Sequence, residues 1–353
     1  MLSAALIVIG YLNNTSKFSS LVKSSPMIKI LLFGKDGQLG KAFQKHFASL
    51  NVNLLSNTQI QYVGRAQCDL SDDASIDELL SQFQPHLIIN AAAYTAVDKA
   101  ETESELAFAI NAKAPERMAL YAANNNATFL HYSTDYVFDG EKYGFYLEGD
   151  MRNPLGIYGK SKAFGEEAVV RAFAAGTGGQ YAIFRTSWVY GDGGNFIRTI
   201  LRLAKERAEL GIIHDQYGVP TSADWLAKVS LNLALSGQLE LKKFPSGIYH
   251  AVPSGETSWH SLACLAVQSA LDAGVELKAK PVAIKPILAV DYPLPAPRPM
   301  NSRMETAKLR HALVMSLGDS SDSYNDQTIN SLFPRWDLLV QKYVAELAAK
   351  NLI

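Results

Sequence analysis

The chain has 353 residues, 48% of them hydrophobic and 19% charged, with a net charge of −1. That length exceeds one small core and implies one large domain with an appended lobe, or two domains. The near-neutral charge excludes a surface built for nucleic acid or an anionic membrane, but not a small anionic ligand held by local donors. Two cysteines, Cys68 and Cys264, make neither a disulfide framework nor a metal site and read as free thiols. No metal is therefore expected. No apolar run approaches the ~18 residues that a membrane span needs, and the expected location is the cytoplasm.

Residues 1–26 combine an apolar stretch, Ala4 to Leu12, with a Ser-rich polar stretch ending at Pro26. No Lys or Arg precedes the apolar part, as a secretory signal requires. The segment reads as a disordered or misassigned extension, and Met27-Ile28-Lys29-Ile30 looks like a natural start running into a strand. Ile28–Phe33 is a continuous apolar run, which suits a strand buried on both faces. Leu39, Phe43 and Phe47 then recur at helical spacing. Strands are predicted at Gln59–Val63, His86–Ala93, Ala127–Ser133 and Tyr181–Trp188, and helices at Ser75–Phe83, Ala112–Asn124 and Tyr158–Phe173. Strands alternating with long helices imply an α/β fold with a doubly wound parallel sheet.

After about residue 190 the alternation breaks up. Helical patterns remain at Phe196–Arg207, Ala223–Leu235 and Pro334–Ala349, and Gly247–Ala251 suits a further strand. Pro286 to Pro299 is interleaved with Ile287, Leu288, Val290 and Tyr292, which suits an ordered loop. Ser316–Ser331 is polar and low in apolar content, which suits a mobile insertion.

Gly34-Lys35-Asp36-Gly37-Gln38-Leu39-Gly40 joins the first strand to the first helix. Glycines let the backbone turn tightly against a pyrophosphate, and the helix N-terminus offers N–H groups and a dipole. Its position rather than its string makes it a dinucleotide loop of the Rossmann kind. The division expected is therefore a dinucleotide-binding domain over 27–190. A smaller, mainly substrate-binding lobe over 191–353 would return some segments to the main domain. At the end of the second strand an acid would favour NAD and an arginine the 2′-phosphate of NADP. Here Val63-Gly64-Arg65 supplies Arg65, so NADPH is expected, with NADH as the alternative. Asp69 and Leu70 lie just beyond, suited to flank the adenine.

Tyr158-Gly159-Lys160-Ser161-Lys162 places a phenol and an ammonium on one helix face. A nearby Lys⁺ favours the phenolate and lowers a tyrosine pKa that is otherwise too high for proton exchange near neutrality. Ser133 or Thr134, at the end of the fourth strand, can add a hydroxyl where open sheets bind ligands. Arg298, stiffened by Pro297 and Pro299, offers a planar fork for a phosphate, or a salt bridge between lobes.

Four strings carry a resemblance: Asn90-Ala91-Ala92-Ala93-Tyr94-Thr95-Ala96-Val97-Asp98-Lys99-Ala100-Glu101, Ser133 to Gly140, Tyr158 to Lys162, and Phe184 to Tyr190. With Asp215–Thr221 and Arg298–Ser302, they resemble the dTDP-4-dehydrorhamnose reductase family from about Met27 to the C-terminus. The resemblance implies reduction of a 4-keto group in a dTDP-sugar by hydride from the nicotinamide. Tyr158 is then the proton donor, Lys162 its partner, and Thr134 the hydroxyl on the carbonyl. Thr134, Asp135 and Trp188 would hold the sugar, and Gly37, Gln38 and Leu39 the pyrophosphate. Ala93, Tyr94, Thr95 and Tyr132 would hold the nicotinamide half. Some members dimerise through a magnesium site that uses a glutamate two residues beyond the last loop glycine. Ala42 stands there, which argues against that dimer while leaving another homodimer open. Two other readings are an NADP-binding regulatory subunit of the methionine adenosyltransferase type, and another sugar-nucleotide 4-keto reductase or epimerase.

Overall fold

A computed structural model describes residues 27–316 and 326–353. The 1–26 extension and residues 317–325 of the polar insertion lie outside the described residues. The insertion's end is a short helix, Asp326–Ser331. Six parallel strands form the central sheet: β1 (Ile28–Phe33), β2 (Thr58–Val63), β3 (Leu87–Asn90), β4 (Thr128–Thr134), β5 (Gln180–Thr186) and β6 (Gly247–His250). Their order across the sheet is β6-β5-β4-β3-β1-β2. Chain direction across the sheet reverses between β1 and β3, and the crevice above their carboxyl ends is where ligands of open α/β sheets bind.

Alternation within β1 shows why the sheet has two covered faces. Ile30 and Leu32 pack on one side with α1 (Gln38–Ala48), while Leu31 and Phe33 pack on the other with α2 (Asp73–Phe83) and α3 (Ala114–Asn124). All four are fully buried, so polar residues on either face would be uncompensated. The long helix α4 (Ile157–Ala175) lies beside α3 on that second side.

The C-terminal half contributes to both layers. Helix α5 (Phe196–Glu206), α7 (Trp259–Asp272) and α8 (Trp336–Ala349) share a separate apolar core. Helix α6 (Ala223–Ala234) instead packs on α1, and β6 joins the edge of the main sheet. Helix α7 buries Leu262, Ala263, Ala266, Val267 and Ala270 and exposes Ser261, Gln268 and Asp272 on its other side. Ser258 caps it by accepting from the Ser261 N–H.

Several predicted bounds move. Residues 91–96 leave the sheet as a loop, since β3 ends at Asn90, and β5 ends at Thr186. Ala109–Lys113 is a π-helical turn leading into α3. Trp336 begins α8, two residues later than the pattern suggests. Cys68 and Cys264 are free. Ala42 is packed inside the α1 core. No helix among the described residues is long and apolar enough to cross a membrane.

One buried ion pair ties the sheet to α4. Arg185 of β5 donates from Nε and Nη2 to both oxygens of Glu166, at 2.8 and 2.7 Å, and both side chains are sealed from solvent. Arg185 also donates to the Glu148 carbonyl and lies over the Phe138 ring. Glu166→Leu leaves that guanidinium without its carboxylate and should cost ~3–5 kcal/mol. Urea unfolding should show the midpoint falling accordingly, and Arg185→Met added to Glu166→Leu should recover part of the loss.

Candidate active site

The site begins where β1 turns into α1. Gly34 sits at φ +83°, and a Cβ there would lie 2.6 Å from the Ala92 nitrogen on the next loop. A side chain at Gly40 would overlap the Gly34 carbonyl. These two glycines therefore let the loop, the helix and β3 close on one another. Gly37 caps α1 without any side-chain acceptor, and the first turn holds no acid. The first N–H groups of α1 are left for a ligand, with the positive end of the helix dipole behind them.

A cleft of 760 Å³ opens above this loop. It is lined by Gly34, Gly37, Gln38, Leu39, Arg65, Asp69, Leu70, Ala93, Tyr94, Thr95, Tyr132, Tyr158 and Lys162. Gly40 lies beneath the loop rather than on the lining. Arg65 is exposed, free to meet an anion. Asp69 accepts from the Ser71 N–H and hydroxyl, which hold its carboxyl below the ordinary value. Ser133 and Thr186 also line the cleft, and their buried hydroxyls have no partner. Open helix N–H groups, a glycine cradle that Cβ atoms would fill and two orphaned hydroxyls fit a dinucleotide with its amide end deep in the cleft.

Helix α4 is held in register from two directions. The Glu101 carboxylate accepts from the Ile157 N–H at 2.8 Å, supplying the cap that Gly156 lacks. Asn111, in the π-helical turn, is fully buried. Its amide accepts from the Tyr94 N–H and donates to the Tyr94 carbonyl and the Ser161 hydroxyl. The cleft loop and α4 are thus clamped by one side chain. Sequence reasoning missed both Asn111 and Glu101, although a polar residue inside Ala109–Ala112 was a usable signal.

Tyr158 packs edge-on against Tyr136, with centroids 5.4 Å apart. Burial pushes its phenol up to about 12, opposed by a hydrogen bond with Thr134 and reinforced by Asp135. Lys162 is buried and donates to the Tyr132 carbonyl. Burial brings its amine down to about 8, opposed by Glu166. Lys162 shares the cleft with Tyr158 but spends its hydrogen bond on main chain. Burial therefore outweighs the phenolate stabilisation expected from the Tyr–Lys spacing, and Tyr158 is held as a phenol.

The four residues expected on the substrate, Thr134, Asp135 and Trp188 on the sugar and Arg298 on a phosphate, lie outside the cleft lining. Thr134 is buried beside Tyr158, its Oγ1 donating to Asp135 and accepting from the Tyr136 N–H. Asp135 is buried and raised to about 6, chiefly by desolvation. Trp188, at φ +50°, stacks on Trp259 with centroids 3.7 Å apart and rests on Gly218. Arg298 grips both oxygens of Asp98 at 2.9 Å and donates to the Ala296 carbonyl. The Arg298 guanidinium thus has the Asp98 carboxylate and the Ala296 carbonyl as partners. Among the described residues no cluster of three His, Cys, Asp or Glu could hold a metal ion.

Residues 28–326 match the family model described as the RmlD substrate binding domain. An Escherichia coli K12 protein named dTDP-4-dehydrorhamnose reductase is 42% identical over 83% of this chain and 94% of its own length. A Clostridium acetobutylicum structure of that name superposes with TM-score 0.73 at 31% identity, covering 91% of this chain and 99% of that one. A Bacillus anthracis reductase solved in complex with NADP has the same TM-score at 29% identity, over 90% and 99%.

Gly40→Ala should weaken binding of a reduced nicotinamide dinucleotide by about tenfold or more, or about 1.4 kcal/mol, because the loop must move off α1. Fluorescence titration checks this, and unchanged affinity would remove the loop from the site.

Proposed function

The chain belongs to the dTDP-4-dehydrorhamnose reductase family, and on that premise we propose how its residues divide the work. The reaction is the NADPH-dependent reduction of the 4-keto group of dTDP-4-dehydrorhamnose to dTDP-L-rhamnose. The relatives named above support this reading rather than that of a regulatory subunit or an epimerase.

The observation that carries the residue assignment is that Tyr158 and Lys162 both line a cleft that begins at a dinucleotide loop, with Thr134 buried beside Tyr158 behind that lining. Bound NADPH supplies the hydride. The first N–H groups of α1, at Gln38 and Leu39, take the pyrophosphate, with Gly34, Gly37 and Gly40 allowing the approach. Arg65 faces the 2′-phosphate, and Asp69 and Leu70 flank the adenine. Ala93, Tyr94, Thr95 and Tyr132 wall the nicotinamide half.

Tyr158 gives its hydroxyl proton to the sugar oxygen. A phenol held protonated suits this direction, since an alkoxide is the stronger base. Thr134 donates to the same oxygen once its single hydroxyl hydrogen turns from Asp135 to the substrate. Lys162 places a fixed amine beneath Tyr158. Trp188 and Asp135 bound the sugar from the 27–190 domain, facing the lobe of residues 191–353. Arg298 serves the sugar's pyrophosphate from its seat on Asp98.

Tyr158→Phe keeps the ring and deletes the proton. Its kcat should fall ~10²–10⁴-fold with NADPH affinity little changed. A variant that retains half its activity would exclude the role. Arg65→Asp should lower kcat/KM for NADPH and spare that for NADH. An unchanged ratio would make Arg65 an ordinary surface residue.

A further inference from the structure

Beneath Lys162 lies a row of buried polar groups that the mechanism above does not use. Asn90, at the end of β3, and His131, beside it on β4, are both fully buried and paired in register. Asn90 Oδ1 accepts from the Ala92 N–H at 3.2 Å. Its amide nitrogen must then face the ring, 3.1 Å from His131 Nδ1. An amide NH₂ can only donate, so Nδ1 is the acceptor and carries no proton. A neutral imidazole so fixed has its hydrogen on Nε2, which lies 3.5 Å from Lys162 Nζ.

We infer that Asn90 and His131 are positioning residues that bias Lys162 toward its free base, by aiming a fixed N–H donor at its amine. An ammonium offers three hydrogens and no acceptor. One goes to the Tyr132 carbonyl, and another would meet the His131 hydrogen head-on. The neutral amine instead accepts it. The inference deepens the proposed function and rests on it only where activity is the readout.

The surroundings agree. Burial, with Lys162 alongside, holds His131 well below its ordinary value, so the ring stays neutral. Phe129 stacks on the imidazole and fixes its plane. The carboxylate facing Lys162, Glu166, favours the charged form, but Arg185 and Arg152 already bind it. Tyr158, one turn earlier on α4, is held as a phenol and adds no charge. Asp135 acts on Tyr158 rather than on the amine.

The first test needs no activity. In the full chain labelled with ¹⁵N at histidine, the ring identified by its contact with Phe129 should show Nε2 protonated and Nδ1 bare. A proton on Nδ1 overturns the inference. The second test is the pH profile of kcat. Its basic limb follows the first proton lost from the Lys162–Tyr158 pair, that of the ammonium which stabilises the phenolate left by proton transfer, and should rise by roughly one unit in His131→Leu. Asn90→Asp keeps the bond from Ala92 but draws the proton to Nδ1, so the ring should change tautomer and the limb should rise again. Phe129→Leu, the packing control, should lower Tm and leave the limb in place. A limb unmoved in folded His131→Leu overturns the inference, as does one moved equally by Phe129→Leu. Absence of turnover in the unmodified chain with the dTDP-sugar would instead count against the proposed function, and the tautomer result would stand.

Discussion

Lys162 carries its amine into the interior, and much of the structure around it answers the cost of placing it there. A buried ammonium without partners is pushed toward neutrality or out to water. Here the Tyr132 carbonyl takes one hydrogen at the end of β4. Glu166, one turn further along α4, supplies negative charge and is itself held by Arg185 from β5. The sheet, the long helix and the segment carrying Glu148 are therefore locked together around one side chain. The same lock fixes Tyr158, one turn before Lys162, against Tyr136 and Thr134. Stability and site geometry draw on the same contacts.

The two sides of the site are built on different physics. The dinucleotide side is backbone, with open N–H groups, close glycine approaches and a rigid sheet edge. Little there depends on side-chain rotamers. The sugar side is made of side chains from separate elements. Trp188 meets Trp259 across the lobe core, and Arg298 meets Asp98 across the cleft's outer edge. Asp98 and Glu101 share one short stretch of chain. The first grips the loop that carries Arg298, and the second caps the helix that carries Tyr158. That stretch therefore mechanically joins the outer loop to the reacting phenol.

The parallel sheet was readable because β1, β3 and β4 are buried on both faces and alternate with long helices. β1 with the loop after it was readable to the residue. Helix α7 was not, since its polar side is only Ser261, Gln268 and Asp272, a thin stripe among many Ala and Leu residues. The Tyr158–Lys162 spacing pointed correctly to one helix face, yet periodicity carries no information on burial. The phenol raised to about 12 therefore reverses the shift expected from the lysine. The roles of Asn111, Glu101, Asn90 and His131 were not read for a related reason. Their partners lie 17 to 56 positions away in sequence, beyond the reach of any local spacing.

The central claim is that this cleft brings a dinucleotide's hydride and the Tyr158 proton to the same carbonyl. Deuterium placed at the transferable position of the reduced nicotinamide tests it most directly. With dTDP-4-dehydrorhamnose as substrate, the label should appear at carbon 4 of the product sugar, in one stereochemical configuration. The hydroxyl proton should come from solvent through Tyr158. Label absent from carbon 4, or NADPH bound but not consumed, would contradict the account.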